Sequence, residues 1–167
     1  MRRTSGSPHG QRCATSATPR GEPDVLRTEP RLPDGTPFPT TYYATCPRLT
    51  GAVSTLETGG VMREMTERLA QDEALAAAYA RAHEHYLAQR AELGEVPEID
   101  GISAGGMPTR VKCLHVLVGH SLAAGPGVNP LGDEALAMLD DWWRPTSCAA
   151  LHAAEDAEDA AEGAADE

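Results

Sequence analysis

The sequence predicts an all-α fold, a single compact domain of about five helices with disordered N- and C-terminal tails. Apolar residues recur every three to four positions through the middle of the chain, whereas no stretch shows the strict alternation of a half-buried strand. Glycine and proline residues interrupt this pattern at intervals that suit separate helices. The length of 167 residues suits one domain with a real core.

Both ends of the chain lack the apolar side chains that a core requires. Residues 1–37 are rich in Pro, Gly, Ser, Thr and Arg, and residues 147–167 are rich in Ala, Asp and Glu. Such segments cannot bury enough surface to offset the loss of chain entropy, so we predict that both are disordered. The predicted helical domain therefore spans residues 38–146.

The first half of this domain is predicted to contain three helices. Residues 38–46 should form a short extended entry, followed by helices at 47–58, 61–71 and 73–93. Pro47 suits the first position of a helix, the glycines at 59–60 separate the first two helices, and Asp72 can cap the third.

Two further helices are predicted after the glycine-rich connection at 95–108. The fourth should begin at Pro108 or Thr109 and run to Ala124, and it is apolar nearly all round, which is typical of a buried central helix. We expect residues 110–124 to form one unbroken interior helix. The fifth should begin at Asp133 and stop at Pro145.

Net charge and cysteine usage limit the classes of function. The formal net charge is −11, and the last 19 residues carry seven acids without a Lys or Arg. Such a chain should repel nucleic acid and anionic lipid, and no apolar stretch approaches membrane-spanning length. Since no secretory signal is visible, we expect a cytoplasmic protein that neither binds nucleic acid nor inserts into a membrane, with cysteines as thiols or metal ligands rather than disulfides.

A first candidate site is an anion site in GISAGGMPTRVK (101–112). Glycines before a helix N-terminus leave backbone N–H groups free for a phosphate or carboxylate, and Arg110 and Lys112, the chain's only lysine, add positive charge. His115, His120 and Asn129 are the further polar residues that we expect at this pocket. The alternative is a flexible connector with two solvated cations.

A second candidate is a metal site for zinc or iron. Cys46, His83, Cys113 and His115 are of the ligand types that zinc prefers. On a continuous helix Cys113 and His115 would lie about 200° apart, so they could share an ion only at a junction between a loop and a helix, with Cys46 or His83 as a third ligand. The alternative is a buried thiol with hydrogen-bonded core histidines.

Smaller features allow further interpretations. Cys113 with a nearby histidine could be a catalytic nucleophile, although a thiol in a buried helix is usually inert. In RAHEHY, His83 and Tyr86 should share a packed face while His85 faces solvent. Asn129 could bond its own backbone in a turn, or it could orient His120 or a ligand.

Three stretches resemble a known bacterial family. TYYATCPRLTGAVSTLETGG, RAHEHY and KCLHVLVGHSLAAGPGVNPLG are similar to the domain-of-unknown-function 501 family over about residues 38–140. This family has no established activity, so the resemblance implies no substrate, cofactor or catalytic residue.

The sequence leaves three classes of function open. The leading hypothesis is a non-catalytic protein that binds a small anionic ligand such as phosphate, or an adaptor with a protein partner, using residues 101–120 as its pocket. The second is a metal-dependent hydrolase of phosphate compounds that uses the Cys/His cluster. The third is a scaffold that acts through the acidic tail and Trp142-Trp143.

Overall fold

Short strands open the fold and helices follow in a computed structural model, which describes residues 12–13, 24–139 and 142. The elements are β1 (Arg12–Cys13), β2 (Val25–Arg27), β3 (Tyr42–Ala44), α1 (Pro47–Thr58), α2 (Val61–Leu69), α3 (Glu73–Ala91), a 3-10 turn (Pro97–Ile99), α4 (Leu114–Ala124) and α5 (Pro130–Ala137). The fold is mostly α-helical and forms one domain around one core, as predicted.

The strands form a small antiparallel sheet in the order β1-β2-β3. Val25 pairs with Ala44 and is fully buried in the core. The predicted boundary at residue 38 is therefore too late, because residues 24–37 belong to the fold. Strands of two or three residues are too short to show an alternating pattern, and packing against the helices stabilises them instead. Residues 1–11 and 14–23, and the predicted acidic tail at 147–167, lie outside the described residues.

Helices α1 to α3 begin where the sequence predicts. Pro47 occupies the first turn of α1, and the Asp72 side chain caps α3 by accepting a hydrogen bond from the Leu75 amide at 2.9 Å. Helices α2 and α3 each end two residues earlier than predicted, at Leu69 and Ala91. Local signals in the sequence therefore predict where these three helices begin and, to within two residues, where they end.

Helix α4 begins at Leu114, five residues or more later than predicted. The amides of Arg110 and Lys112 bond back to the carbonyls of Gly106 and Gly105, at 3.1 and 2.7 Å. These bonds fold the preceding residues into a closed loop and leave Cys113 as an extended N-cap. The prediction of an unbroken helix over 110–124 is wrong at its first four residues.

The rest of α4 lies at the centre of the molecule, as predicted. Leu114 and every residue from Val116 to Ser121 are buried, and full burial of one leucine side chain contributes about 2 kcal/mol. The largest fully buried side chains outside α4 come from all four other helices: Leu49, Met65, Tyr79, Tyr86 and Leu131. No described helix is long and apolar enough to span a membrane.

Helix α5 begins at Pro130, three residues before the predicted start at Asp133. Its cap is Asn129, whose Oδ1 accepts a hydrogen bond from the Gly132 amide at 3.0 Å. Gly132 packs directly on α4, where an added Cβ would lie 2.2 Å from the Leu117 carbonyl oxygen. The helix ends at Ala137, and Leu139 is no longer helical, so the helix stops earlier than the predicted end at Pro145.

Candidate metal site and the neighbouring histidine network

Three potential metal ligands meet where the last turn of α1 approaches the first turn of α4. They are Glu57, Cys113 and His115, and one donor atom from each lies within 4.8 Å of the other two. His115 Nδ1 is 3.2 Å from Glu57 Oε1 and 3.9 Å from Cys113 Sγ. The Glu57 carboxylate and the Cys113 thiol therefore both approach Nδ1 of His115.

The backbone of α4 holds the Glu57 carboxylate in place. Glu57 Oε1 accepts a hydrogen bond of 2.6 Å from the amide of Leu114, the first residue of α4. That amide has no partner within its own helix, and the helix dipole favours a negative charge there. A carboxylate of the same protein therefore occupies the N-terminus of α4.

The contacts of His115 define which ring nitrogen carries a proton. Its Nε2 lies 3.1 Å from the Thr50 carbonyl oxygen, which can only accept a hydrogen bond. In a neutral ring the proton is therefore on Nε2, and the lone pair of Nδ1 points toward Glu57 and Cys113. Metal-bound histidines commonly have this arrangement, with the second nitrogen donating to a carbonyl or carboxylate.

The cluster opens onto a groove of about 670 Å³. The His115 and Glu57 side chains are 28% and 23% exposed, so solvent reaches both. The groove is lined by backbone and by uncharged side chains apart from the imidazole, namely Thr40, Tyr42, Tyr43, Ala44, Thr45, Pro47, Thr50, Cys113, His115 and Val116. Among these described lining residues there is no Lys or Arg that would attract an anionic substrate.

The thiol of Cys113 is poorly suited to act alone as a nucleophile. Burial raises its pKa, and the neighbouring Glu57 carboxylate raises it further. The thiol is therefore protonated at neutral pH, whereas a nucleophilic cysteine needs a lowered pKa. In addition, Glu57 and Cys113 approach the same nitrogen of His115, so the imidazole cannot relay a proton between them as a catalytic triad requires.

Two of the four predicted metal ligands do not reach the cluster. Cys46 is disulfide-bonded, contrary to the expectation that the cysteines are thiols or ligands, and it has no thiolate to offer a metal. His83 instead contacts the Ser103 hydroxyl at 2.9 Å, and burial lowers its pKa. Glu57 was missed because it is 56 residues from Cys113 and nothing local in the sequence marks it.

The predicted ligand residues His120 and Asn129 belong to a buried network instead. His120 is fully buried, and its Nδ1 lies 3.2 Å from Asn129 Nδ2 while its Nε2 lies 2.9 Å from His85 Nδ1. The ring stacks on Tyr42 and meets Tyr86 edge-on. His85, expected to face solvent, is therefore half-buried against His120.

The hydrogen bonds of this network form a chain in which each group donates to the next, from the Gly132 amide through Asn129 and His120 to His85. Because the Gly132 amide donates to Asn129 Oδ1, the other end of that side-chain amide, Nδ2, donates to His120 Nδ1. His120 then carries its proton on Nε2 and donates to His85 Nδ1. Burial and the nearby His85 lower the pKa of His120 to about 4, so the ring is neutral at pH 7.

Arg110 and Lys112 lie apart from both histidine clusters. They line a separate concavity of about 400 Å³ together with Ser103, Gly105 and Gly106. The five residues predicted to share one anion pocket are therefore divided among three places: this concavity, the groove beside His115 and the buried network.

A comparison with models of protein families identifies the family of this chain. The model of a family described as a protein of unknown function, DUF501, matches residues 14–137. The chain belongs to the DUF501 family. Comparisons with curated proteins and with solved structures return no match. The matched DUF501 segment contains Glu57, Cys113 and His115 as well as the buried network.

Proposed function

We propose that this DUF501 protein binds a divalent transition metal, with zinc as the best fit, through Glu57, Cys113 and His115, and that the bound ion supports hydrolytic chemistry in the adjoining groove. The observation that carries the proposal is the approach of a carboxylate and a thiol to the same ring nitrogen, Nδ1, of His115. Sulfur, nitrogen and oxygen donors together suit zinc better than iron.

The donor spacing fits such an ion after small side-chain movements. Zinc bonds of about 2.0–2.3 Å in a tetrahedron require donor atoms about 3.3–3.7 Å apart. His115 Nδ1 lies 3.2 Å from Glu57 Oε1 and 3.9 Å from Cys113 Sγ, so each of these two distances needs to change by less than about half an ångström. The donor atoms of Glu57 and Cys113, the third pair, lie within 4.8 Å of each other. Rotamer adjustment of two partly exposed side chains can supply this.

An ion pair between Glu57 and His115 would explain some of the same contacts without a metal. A protonated ring would donate from Nδ1 to Glu57 and from Nε2 to Thr50, and every polar group would have a partner. The ion pair gives Cys113 no role, however, whereas a metal uses all three side chains. Metal binding and the ion pair therefore differ in whether the thiol matters.

Three protein ligands leave the fourth position of a tetrahedral ion open, as in catalytic zinc sites. An ion in such a site lowers the pKa of a bound water and polarises a substrate oxygen. Cys113 and His115 line the groove, so an open position next to them is within reach of a substrate. The uncharged lining favours a neutral ester or amide over the phosphate compounds predicted from the sequence.

Cobalt titration tests the metal site most directly. After removal of metal by a chelator, we expect Co²⁺ to bind with a thiolate-to-cobalt charge-transfer band. Cys113→Ser should abolish the band, while Glu57→Gln and His115→Gln should each weaken binding by about 100-fold or more, because direct ligands exceed the 10–100-fold effect of supporting residues. His83→Gln is the control and should leave binding unchanged.

Absence of cobalt binding, or an unchanged spectrum in Cys113→Ser, would contradict the metal site and leave the ion pair as the explanation. Hydrolysis needs a separate measurement with the zinc-loaded protein. We expect cleavage of p-nitrophenyl acetate that is lost with the chelator and in His115→Gln and restored by added zinc. Metal binding without such cleavage would limit the function to metal binding.

We also propose the cytoplasm as the compartment, as predicted from the sequence. The disulfide at Cys46 weighs against this, because disulfides persist mainly in oxidising compartments. Alkylation of thiols during cell lysis, followed by mass spectrometry, tests the compartment. A Cys46 that reacts as a thiol supports the cytoplasm, and a fully protected Cys46 indicates export.

A further inference from the structure

We propose a second site, independent of the metal cluster, in which Arg110 and Lys112 bind a phosphate group carried by a small molecule. The two side chains line the concavity of about 400 Å³ formed by the glycine-rich loop of residues 101–112. This site shares no lining residue with the groove beside His115.

The backbone holds the two cations on one face of the loop. Val111, between them, is buried, and its amide donates to the Thr66 hydroxyl at 3.0 Å. The Arg110 carbonyl accepts a hydrogen bond from the Tyr79 hydroxyl at 3.2 Å. Arg110 and Lys112, on either side of the buried Val111, are both exposed and both line the same concavity.

Two left-handed glycines close the loop beneath these side chains. Gly105 and Gly106 have φ values of +73° and +93°, and the Lys112 amide donates to the Gly105 carbonyl at 2.7 Å. A Cβ on Gly106 would lie only 2.7 Å from the Arg110 carbonyl oxygen, so a larger residue cannot take this position without movement. The concavity is therefore built into the fold of this loop, and Ser103 and Thr109 are also among its lining residues.

Both cations lack an anionic partner within the described part of the chain. Arg27, Arg31 and Arg68 each form an ion pair with a glutamate, whereas Arg110 and Lys112 form none. The chain as a whole carries a net charge of −11, so carboxylates are abundant. These two neighbouring cations on the wall of a cavity are therefore available to bind an anion supplied from outside.

The chemistry of the pair favours phosphate over a carboxylate. A phosphate monoester carries up to two charges on three terminal oxygens, which can be divided between the planar fork of Arg110 and the compact ammonium of Lys112. A carboxylate offers one charge and two oxygens, which the arginine alone could satisfy. The volume is at the lower end of the range for small-ligand pockets, which suits a phosphorylated metabolite rather than a polymer.

Calorimetric titration of the full chain with inorganic phosphate and phenyl phosphate tests this site at constant ionic strength. We expect saturable binding that weakens about ten-fold in Arg110→Gln and in Lys112→Gln, since hydrogen bonds to charged groups are lost. Arg63→Gln is the matched control, because Arg63 is 85% exposed on α2, away from the cavity, and it should bind phosphate like the wild type.

Three outcomes would overturn the proposal: no saturable binding, equal competition by acetate, or equal weakening by Arg63→Gln. Both substituted residues are exposed, so thermal melting should show that the variants remain folded. Glu57→Gln separates this site from the metal cluster, because we expect it to retain full phosphate affinity. Loss of phosphate binding in Glu57→Gln would contradict the independence of the two sites.

Discussion

His115 and His120 lie on the same helix, five residues apart, in opposite chemical environments. His115 is partly exposed beside a carboxylate and a thiol. His120 is fully buried between aromatic rings, and its hydrogen-bond partners are the side chains of Asn129 and His85. One imidazole can gain a positive ion or a proton, and the other is held neutral.

The difference shows that the partners decide what a histidine does, more than the local sequence around it. A nearby carboxylate stabilises positive charge, so His115 can share its lone pair with a cation. Amide and imidazole partners in a dry core exclude charge, so His120 orders the packing of α3, α4 and α5. The comparison leads to four predictions, given from the largest expected effect to the smallest.

Asn129→Ala should break the buried network and cause the largest loss of stability. It removes the cap of α5 and leaves the His120 Nδ1 acceptor buried without a partner. Together these losses should lower the free energy of unfolding by about 2–4 kcal/mol. Urea denaturation measures the change. The folded Asn129→Ala variant should still bind cobalt. Loss of cobalt binding would show that the buried network of His120 is coupled to the metal cluster of His115.

Acid should weaken the fold through His120. The pKa of its ring is about 4 in the folded protein and 6.5 for an unperturbed histidine, so the unfolded chain binds the proton first as the pH falls. The folded state is therefore fully stabilised above pH 6.5, and about 3 kcal/mol is lost as the pH falls from 6.5 to 4. The groups that face the ring are His85, Tyr42 and Tyr86, with Asp133 close enough to oppose the effect.

Unfolding free energies measured between about pH 6.5 and 4.5 test this, since most carboxylates are still charged there. His120→Gln should flatten the slope, whereas His115→Gln should retain it. Equal slopes in wild type and His120→Gln would assign the acid sensitivity to another group.

Glu57→Gln should affect stability far less than Asn129→Ala. The amide oxygen can still accept from the Leu114 amide, and the change removes the negative charge beside the start of α4 and His115 Nδ1. We expect a decrease of about 0.5–1 kcal/mol in the free energy of unfolding without metal. The same urea experiment measures it. A loss above that of Asn129→Ala would mean that Glu57 has mainly a structural role.

His83→Gln should be nearly neutral, with a change of about 0.5 kcal/mol or less in the free energy of unfolding. The ring is only partly buried, and glutamine can keep a hydrogen bond to Ser103. Thermal melting measures the change. A drop similar to that of Asn129→Ala would place His83 among the residues that hold the core together.

Local signals in the sequence were enough to predict the helices whose ends they mark. Pro47 and Asp72 define where α1 and α3 begin, and the apolar run after Cys113 identifies the buried helix. The sequence also suggested that residues 110–113 are helical, which they are not. The amides of Arg110 and Lys112 instead bond back to the carbonyls of Gly106 and Gly105. These hydrogen bonds depend on a three-dimensional closure that helical periodicity cannot reveal.

Two of the three candidate metal ligands were predicted from the sequence, and the third was not. Cys113 and His115 are close in sequence and of the right type, and they meet because α4 starts late and places them at a junction between a loop and a helix. Glu57 comes from another helix and resembles any surface glutamate in the sequence. Cys46 looked equally suitable as a ligand, and only its covalent bond excludes it.

The hydrogen bond from the Leu114 amide to Glu57 ties the end of α1 to the beginning of α4. An ion shared by Glu57, Cys113 and His115 would act there as a cross-link that closes a loop of about 56 residues, which includes all of α2 and α3. Unfolding would have to release the ion. The melting temperature should then rise with free zinc concentration, so the protein's resistance to heat would report how much zinc surrounds it.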